Sequence, residues 1–309
     1  MTPAQISVVV CTYNRAEHLK VCLESLVVQT ADESLFEVII VNNNSTDSTL
    51  EIAEKFTILQ PNFRVVTETK RGLSHARNRG CQEAYGEYVA YIDDDARAHT
   101  DWVENIHHFI QRRQDVRVFG GPYFAFFDQK IPDWLPVNFE SHFLGNKERA
   151  LERFKEWIAG PNMIFRKDLL AQIGLFPTDL GMVAGKIAYG EDTWVIKTTY
   201  DLGLDVFYVP TVIVDHFVHR YKIRLRWMLF SAYKRGLCYG KVFNCRPNLF
   251  HQLLVLLKNL EQFLLAIIFH VTLRQSRNVP LKRIVLDQLN PLFFTAGRIV
   301  DGVRVLIGA

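Results

Sequence analysis

The stretch YVAYIDDDARAHTDW, Tyr88 to Trp102, carries an apolar run that ends in three adjacent carboxylates, Asp93, Asp94 and Asp95. Adjacent like charges repel, and burying them is costly. Two arrangements relieve the problem. One is a solvated acidic turn ahead of a helix beginning at Asp101. The other is a hard divalent cation, Mn²⁺ or Mg²⁺, which suits oxygen ligands and commonly completes its shell with substrate phosphates. The triplet alone leaves both open.

Other residues with chemical potential lie downstream. Glu191 and Asp192, in YGEDTW, open a helix whose positive end favours anions. Paired acids there are also ordinary capping. AGPNM, with Asn162 and Met163, offers a Gly-Pro turn and an amide suited to a polyol. His216, in VDHFVHR, stands at a strand end, where it can ligate a metal or simply be a solvated imidazole. YFAFFDQKIPDWLP supplies aromatic rings, and Trp134 is a candidate for stacking on a sugar face, although Phe124 and Phe126 also fit a core strand.

The elements that must position these groups are legible from periodicity. ISVVV (Ile6 to Val10), FEVIIV (Phe36 to Val41), FRVVTE (Phe63 to Glu68) and EYVAYI read as buried strands, each followed by a polar turn and a helical pattern. Ser48 and Glu51 have capping-box spacing, so a helix is expected from Ser48. Four alternations predict an α/β fold with a mostly parallel open sheet flanked by helices. Ligands of such sheets bind beyond the carboxyl ends of the strands, where CTYNR, NNNSTD and DDD all fall.

Charge divides the chain. Met1 to Asp215 holds 21 basic against 30 acidic residues, a net of −9, whereas His216 to Ala309 holds 15 against 3, a net of +12. No acid occurs between His216 and Leu260. We therefore expect a domain over residues 1–219 and a basic helical extension over 220–309. In Leu249 to Leu273, apolar residues Phe250, Leu253, Leu254, Leu257, Leu260, Leu264, Ile268 and Val271 recur at helical spacing, with Lys258 and Glu261 mid-way spoiling a spanning helix. The extension reads either as packing helices or as a peripheral contact with an anionic membrane surface.

The motif inventory excludes several classes. There is no Gly-x-x-x-x-Gly-Lys loop and no Gly-x-Gly-x-x-Gly, so a P-loop or dinucleotide fold is unsupported. Cys11, Cys22, Cys81, Cys238 and Cys245 form no Cys-x-x-Cys pair, which argues against zinc or a disulfide framework and for a reducing, cytoplasmic setting. No N-terminal signal is expected.

Taken in order, SVVVCTYNR, VIIVNNNSTDST, GLSHARNRG, YIDDDA, GPNMIFR, GEDTW and a following His resemble the family 2 glycosyltransferases of the GT-A fold, over Ser7 to about His216. The resemblance implies a metal-dependent transfer of sugar from a nucleotide diphosphate sugar, with UDP as the expected nucleotide, to a glycan or lipid-linked acceptor in polysaccharide or cell-surface glycan synthesis. Thr12, Tyr13 and Arg15 would contact the nucleotide. Asn42 stands where relatives often carry an Asp, and its amide offers a donor as well as an acceptor. Arg77 and Asn78 would border the nucleotide. Asp93 would face ribose and metal, Asp95 and His216 the metal, with Asp94 between. Asp192 would be the base, with Glu191 supporting it or the acceptor; Asn162, Met163 and Trp134 would meet the sugar or acceptor. One base opposite one leaving group implies inversion.

No nucleic-acid partner is expected, and a homo-oligomer is compatible with the sequence. Two rival readings are a sugar-phosphate nucleotidyltransferase, which would want a glycine-rich loop where CTYNRAEH has none, and a non-catalytic nucleotide-sugar binder.

Overall fold

The computed structural model describes residues 4–183, 187–245, 248–272 and 280–307, with the backbone alone for 269–272. Val271, Leu273 and Met1, named above, lie outside the described side chains. In chain order the elements are β1 (Ile6–Thr12), α1 (Ala16–Val27), β2 (Phe36–Asn42), α2 (Thr49–Leu59), β3 (Phe63–Thr67), α3 (Leu73–Glu83), β4 (Tyr88–Asp93), β5 (Ala96–Ala98), α4 (Trp102–Arg112), β6 (Val118–Gly120) and β7 (Tyr123–Phe126). There follow β8 (Arg149–Ala150), β9 (Met163–Arg166), α5 (Lys167–Ile173), α6 (Glu191–Asp201), β10 (Phe207–Tyr208), β11 (Val214–Phe217), α7 (Leu225–Phe243), α8 (Leu249–Thr272) and α9 (Leu281–Ile307).

Contacts divide these residues into two compact units. The first comprises 1–126, 140–186 and 191–217; the second comprises 127–139, 187–190 and 218–309. The first unit has an eight-stranded sheet in the order β3-β2-β1-β4-β9-β6-β10-β8. β1 to β4 run parallel, and β9 lies antiparallel between β4 and β6. Both faces are covered, which is why the strands are uniformly apolar rather than alternating. Val8, Val10, Val38 and Ile40 enter one buried cluster; Val9, Ile39, Val41 and Val89 enter the other. The helices shield these faces with residues such as Leu19, Leu23, Trp102 and Ile106 on one side and Ala76 and Cys81 on the other.

The chain moves from β1 outward to β3 and then returns to place β4 on the opposite side of β1. The edge between β1 and β4 is thus a topological switch point, where two loops diverge and leave a crevice. A three-stranded sheet, β5-β11-β7, lies beside it.

One local expectation fails. α2 starts as the capping-box spacing predicts, but Ser48 makes no side-chain cap bond. Asp47 Oδ1 instead accepts from the Thr49 N–H at 3.0 Å. The shorter carboxylate reaches the first-turn amide two residues on, and the Glu51 carboxylate turns outward to Lys55 at 2.8 Å.

In the second unit, α9 packs against both α7 and α8. Gly236 of α7 lies against the Phe294 carbonyl of α9, and Gly297 of α9 against the Tyr233 carbonyl of α7; a Cβ at either position would lie about 2 Å from that oxygen. Glycine lets the two backbones approach closely. Phe250, Leu253, Leu254, Leu257, Leu260, Leu264 and Ile268 of α8 are all exposed, Phe250 by 71%. The described apolar stripe of α8 therefore faces away from the unit's own core. By length and composition alone, Leu249–Ile268 is apolar enough to cross a membrane, with mean hydropathy 1.3, and it carries Lys258 and Glu261 near its middle.

Candidate active site

The register of β1 with its neighbours sets the site. Thr12 pairs with Asn42 of β2, and Cys11 with Asp93 of β4, so their carboxyl ends finish side by side. Asn14 and Asn44, at φ +52° and +62°, turn the two following loops toward one another. An amide side chain tolerates that left-handed backbone better than most. Asn14 N–H donates to Ser45 Oγ (3.0 Å), and Asn14 Oδ1 accepts from the Thr46 N–H (2.7 Å). Asn43 extends the tie by donating to the carbonyls of Glu68 (3.0 Å) and Lys70 (2.7 Å) and accepting from Gly72 N–H (2.8 Å). Sequence reasoning assigned no role to Asn14 or Asn43. The dense run of amides in TYNR and NNNS was the available signal.

The acidic triplet is brought to His216 by the small sheet. β5 begins at Ala96, immediately after the triplet, and pairs antiparallel with β11 so that Ala96 faces His216. Phe217 N–H then donates to the Asp95 carbonyl at 2.9 Å. A residue more than a hundred positions away thereby reaches the acids. His216 Nε2 lies 3.2 Å from Asp95 Oδ1 and 3.9 Å from Asp93 Oδ2.

Two arginines brace the cluster from the protein's own side. Arg15 Nη1 is 2.6 Å from Asp95 Oδ2, and Arg15 Nε is 4.0 Å from Asp94 Oδ1. Arg77 is 3% exposed; its Nη2 lies 3.5 Å from Asp93 Oδ1 and its Nη1 2.8 Å from Glu191 Oε1. Burial strongly opposes the guanidinium charge, but Glu191, Asp93 and Asp192 more than offset it and raise the Arg77 pKa. Burial pushes the Asp94 carboxyl up to about 7; Arg15 opposes that shift and Asp95 adds to it.

At α6, Asp192 Oδ1 accepts from Thr193 N–H (2.6 Å) and Oδ2 from Gly160 N–H (3.3 Å). Asp192 keeps partial exposure, whereas Glu191 is buried. Burial raises the Glu191 carboxyl to about 7, with Asp192 reinforcing and Arg77 opposing. Gly160 leaves room for both partners: a Cβ there would lie 3.0 Å from Arg77 Nη2 and 3.4 Å from Asp192 Oδ2. One chain of contacts thus runs from Asp192 and Glu191 through Arg77 to Asp93.

Asp93, Asp95 and His216 present ligand atoms within 4.8 Å of one another. His216 is almost fully buried, and its Nδ1 has no hydrogen-bond partner among the described residues. Two carboxylates and an imidazole are a hard, mixed O/N donor set of the kind that holds Mn²⁺ or Mg²⁺, so the residues present fit a divalent cation.

Other expected residues are placed differently. Thr12 and Asn42 are buried at the crevice floor, and Asn42 Oδ1 accepts from Ser45 N–H at 3.1 Å. Tyr13 is half-buried, with the Arg71 guanidinium 5.8 Å from its ring centre. Asn78 exchanges two 2.9 Å bonds with the Phe176 backbone. Asn162 and Met163, expected to meet the sugar or acceptor, are both wholly buried. Asn162 donates to the carbonyls of Pro122 (3.0 Å) and Val212 (2.7 Å) and accepts from Trp102 Nε1 (3.0 Å), which occupies its amide with the protein itself. Its Gly-Pro turn nonetheless supplies the Gly160 amide that holds Asp192. Trp134 belongs to the second unit, where it packs with Leu135, Met228 and Leu286.

An α/β sheet with an acid–acid–imidazole set beyond its switch point has the architecture of GT-A glycosyltransferases, and the comparisons agree. The chain belongs to glycosyl transferase family 2, whose family model matches residues 7–174; it is a glycosyltransferase, and so an enzyme. It is 29% identical over 251 residues to the glucosyl-dolichyl phosphate glucuronosyltransferase of Haloferax volcanii, covering 75% of this chain and 75% of that protein. It is 28% identical over 234 residues to the putative glycosyltransferase EpsH of Bacillus subtilis, covering 73% of this chain and 64% of that one. Among solved structures, the mannosyltransferase PcManGT from Pyrobaculum calidifontis, in complex with GDP-Man and Mn²⁺, superposes with TM-score 0.59 at 19% identity, over 100% of this chain and 77% of its own. S. aureus TarS 1–349 with UDP-GlcNAc gives 0.58 at 19%, over 98% and 92%. At that identity the likeness is one of fold.

Proposed function

We propose that this enzyme transfers a sugar, with inversion, from a UDP-sugar to a hydroxyl of a glycan or lipid-linked acceptor in polysaccharide or cell-surface glycan synthesis. The observation that carries the reading is the convergence of Asp93, Asp95 and His216 at the switch point, linked through Arg77 to the carboxylates of α6. Relatives whose names specify nucleotide-sugar or lipid-linked substrates support the class of donor and acceptor.

Thr12, Tyr13, Arg15, Asn42, Arg77 and Asn78 line or brace the nucleotide end. Asp93, Asp95 and His216 would hold Mn²⁺ or Mg²⁺, which when bound supplies positive charge beside the donor's phosphates. An acceptor hydroxyl is a poor nucleophile at neutral pH, so Asp192, the partly exposed carboxylate, takes its proton as it attacks. Thr193 and Gly160 amides hold that carboxylate in one orientation. Glu191, buried against Arg77, positions rather than reacts. Attack opposite the departing diphosphate in one displacement turns an α-linked donor into a β-glycoside.

We assign residues 1–219 to catalysis and 220–309 to a basic extension in peripheral contact with the cytoplasmic face of a membrane, through its lysines and arginines and the exposed stripe of α8. The test is release of nucleoside diphosphate from UDP-sugars, with GDP-sugars as the alternative panel. Turnover should require Mn²⁺ or Mg²⁺ and cease with EDTA. Full turnover in EDTA, or in Asp95→Ala without added metal, would remove the metal from the reading.

A further inference from the structure

Tyr123 opens β7 in the first unit, beside the acids and His216. Along a strand, alternate side chains share a face. Phe124 and Phe126 take one face, with ring centroids 5.9 Å from Phe143 and 5.4 Å from Phe217 respectively. On the other face β11 sets His216 opposite Ala125. The small Ala125 leaves space for the Tyr123 ring to meet the imidazole edge to face, with centroids 5.7 Å apart. His142 stacks on the same ring at 5.8 Å, and the backbones of Tyr123 and His142 exchange hydrogen bonds of 3.1 and 2.9 Å. Contacts with two imidazoles thus fix the ring.

Its hydroxyl differs from those of the other enclosed tyrosines. Tyr88, Tyr91 and Tyr200 donate to the carbonyls of Val116 (3.0 Å), Arg77 (3.1 Å) and Glu156 (2.8 Å), and Tyr208 accepts from the Leu144 N–H (3.2 Å). Enclosed hydroxyls find partners because leaving one unpaired is costly. The hydroxyl of the half-buried Tyr123 bonds no described residue and is not sealed from solvent. Burial raises its pKa, and the Glu140, Asp192 and Asp93 carboxylates raise it further. The hydroxyl therefore stands in the field of both the proposed base and the metal-binding acids.

During transfer the sugar lies between its diphosphate, at Asp93, Asp95 and His216, and the acceptor hydroxyl, at Asp192. A group that faces both ends faces the sugar. Ionised carboxylates only accept hydrogen bonds, whereas a neutral phenol also donates one. A sugar hydroxyl, both donor and acceptor, is matched by that combination. We propose that the Tyr123 hydroxyl donates a hydrogen bond to a hydroxyl of the transferred sugar and so selects among donor sugars. The inference rests on the transferase reading of the same site.

Binding is read by calorimetry on the full chain with Mn²⁺ present. UDP-glucose, UDP-galactose, UDP-GlcNAc, UDP-glucuronate and GDP-mannose are screened against the wild type, and the tightest is compared with its own nucleoside diphosphate. Tyr123→Phe keeps the ring and removes only the hydroxyl, so its Tm should match that of the wild type. It should bind the sugar nucleotide about three- to tenfold more weakly, the loss expected for one neutral hydrogen bond, and the bare diphosphate equally well. Deoxy analogues of the chosen donor, each lacking one sugar hydroxyl, then identify the partner. One of them should bind the wild type as weakly as the intact donor binds Tyr123→Phe, and should lose nothing more in that variant. A merely structural hydroxyl would instead weaken every ligand alike. Unchanged donor binding in Tyr123→Phe, equal losses for donor and diphosphate, or additive losses for every analogue would overturn the inference and leave the transferase reading standing. If the wild type binds no sugar nucleotide, both fall together.

Discussion

The two units treat the same kind of residue in opposite ways. In the first, the apolar runs of β1, β2 and β4 are wholly enclosed, and the charges that approach them are paired: Arg77 with Glu191 and Asp93, and Arg15 with Asp95. In the second, α8 turns its leucines outward, and the basic residues of α7 have few acids to meet. A closed core and a closed charge network make the first unit self-sufficient. The second carries exposed apolar surface and an excess of positive charge.

That contrast can be broken or sharpened by substitution. The largest effect is expected at Asp192→Asn, which should lower kcat by about 10²–10⁴-fold with donor binding preserved, because the amide cannot accept the proton. Near-normal transfer would show that another group is the base. Next comes Ile40→Ala in the enclosed core, which should cost about 2–5 kcal/mol in chemical denaturation. A smaller effect is expected from pH. The Glu191 carboxyl rises from the ordinary 4.5 to about 7 in the folded protein, so its contribution to stability is full below about pH 4.5 and is lost as pH rises through 7. The loss is roughly 3 kcal/mol by linkage. Melting curves of Glu191→Gln should accordingly fall less steeply between pH 5 and 7.5 than wild type; parallel curves would refute the assignment. The smallest effect belongs to α8: Leu257→Gln, at a 54% exposed position, should change stability by no more than about 0.5 kcal/mol. A cost approaching that of Ile40→Ala would mean the stripe is packed in solution, and the contrast between the units would vanish.

Parts of the architecture were legible and parts were not. The four leading strands and their helices follow from continuous β-branched runs and turn residues, and the strand ends correctly located the polar clusters. Ser48 shows the limit of local signals, since its side chain makes no cap bond and Asp47 holds the Thr49 amide instead. Asn162 shows it more strongly. An amide in a Gly-Pro turn looks available to a ligand, yet three partners from distant segments consume it. The α8 stripe was readable as amphipathic, but periodicity cannot say whether an apolar face meets protein or solvent.

Residue types and their order were enough to establish an open α/β sheet, its acidic edge and the electrostatic break near residue 216, because strand periodicity, turn chemistry and charge are local properties. Tertiary structure alone decided that His216 meets Asp93 and Asp95, that Arg77 joins those acids to Glu191, and that Asn162 is a brace. Each depends on strand register and on crossings between segments far apart in sequence, and such distances exist only after the chain has packed.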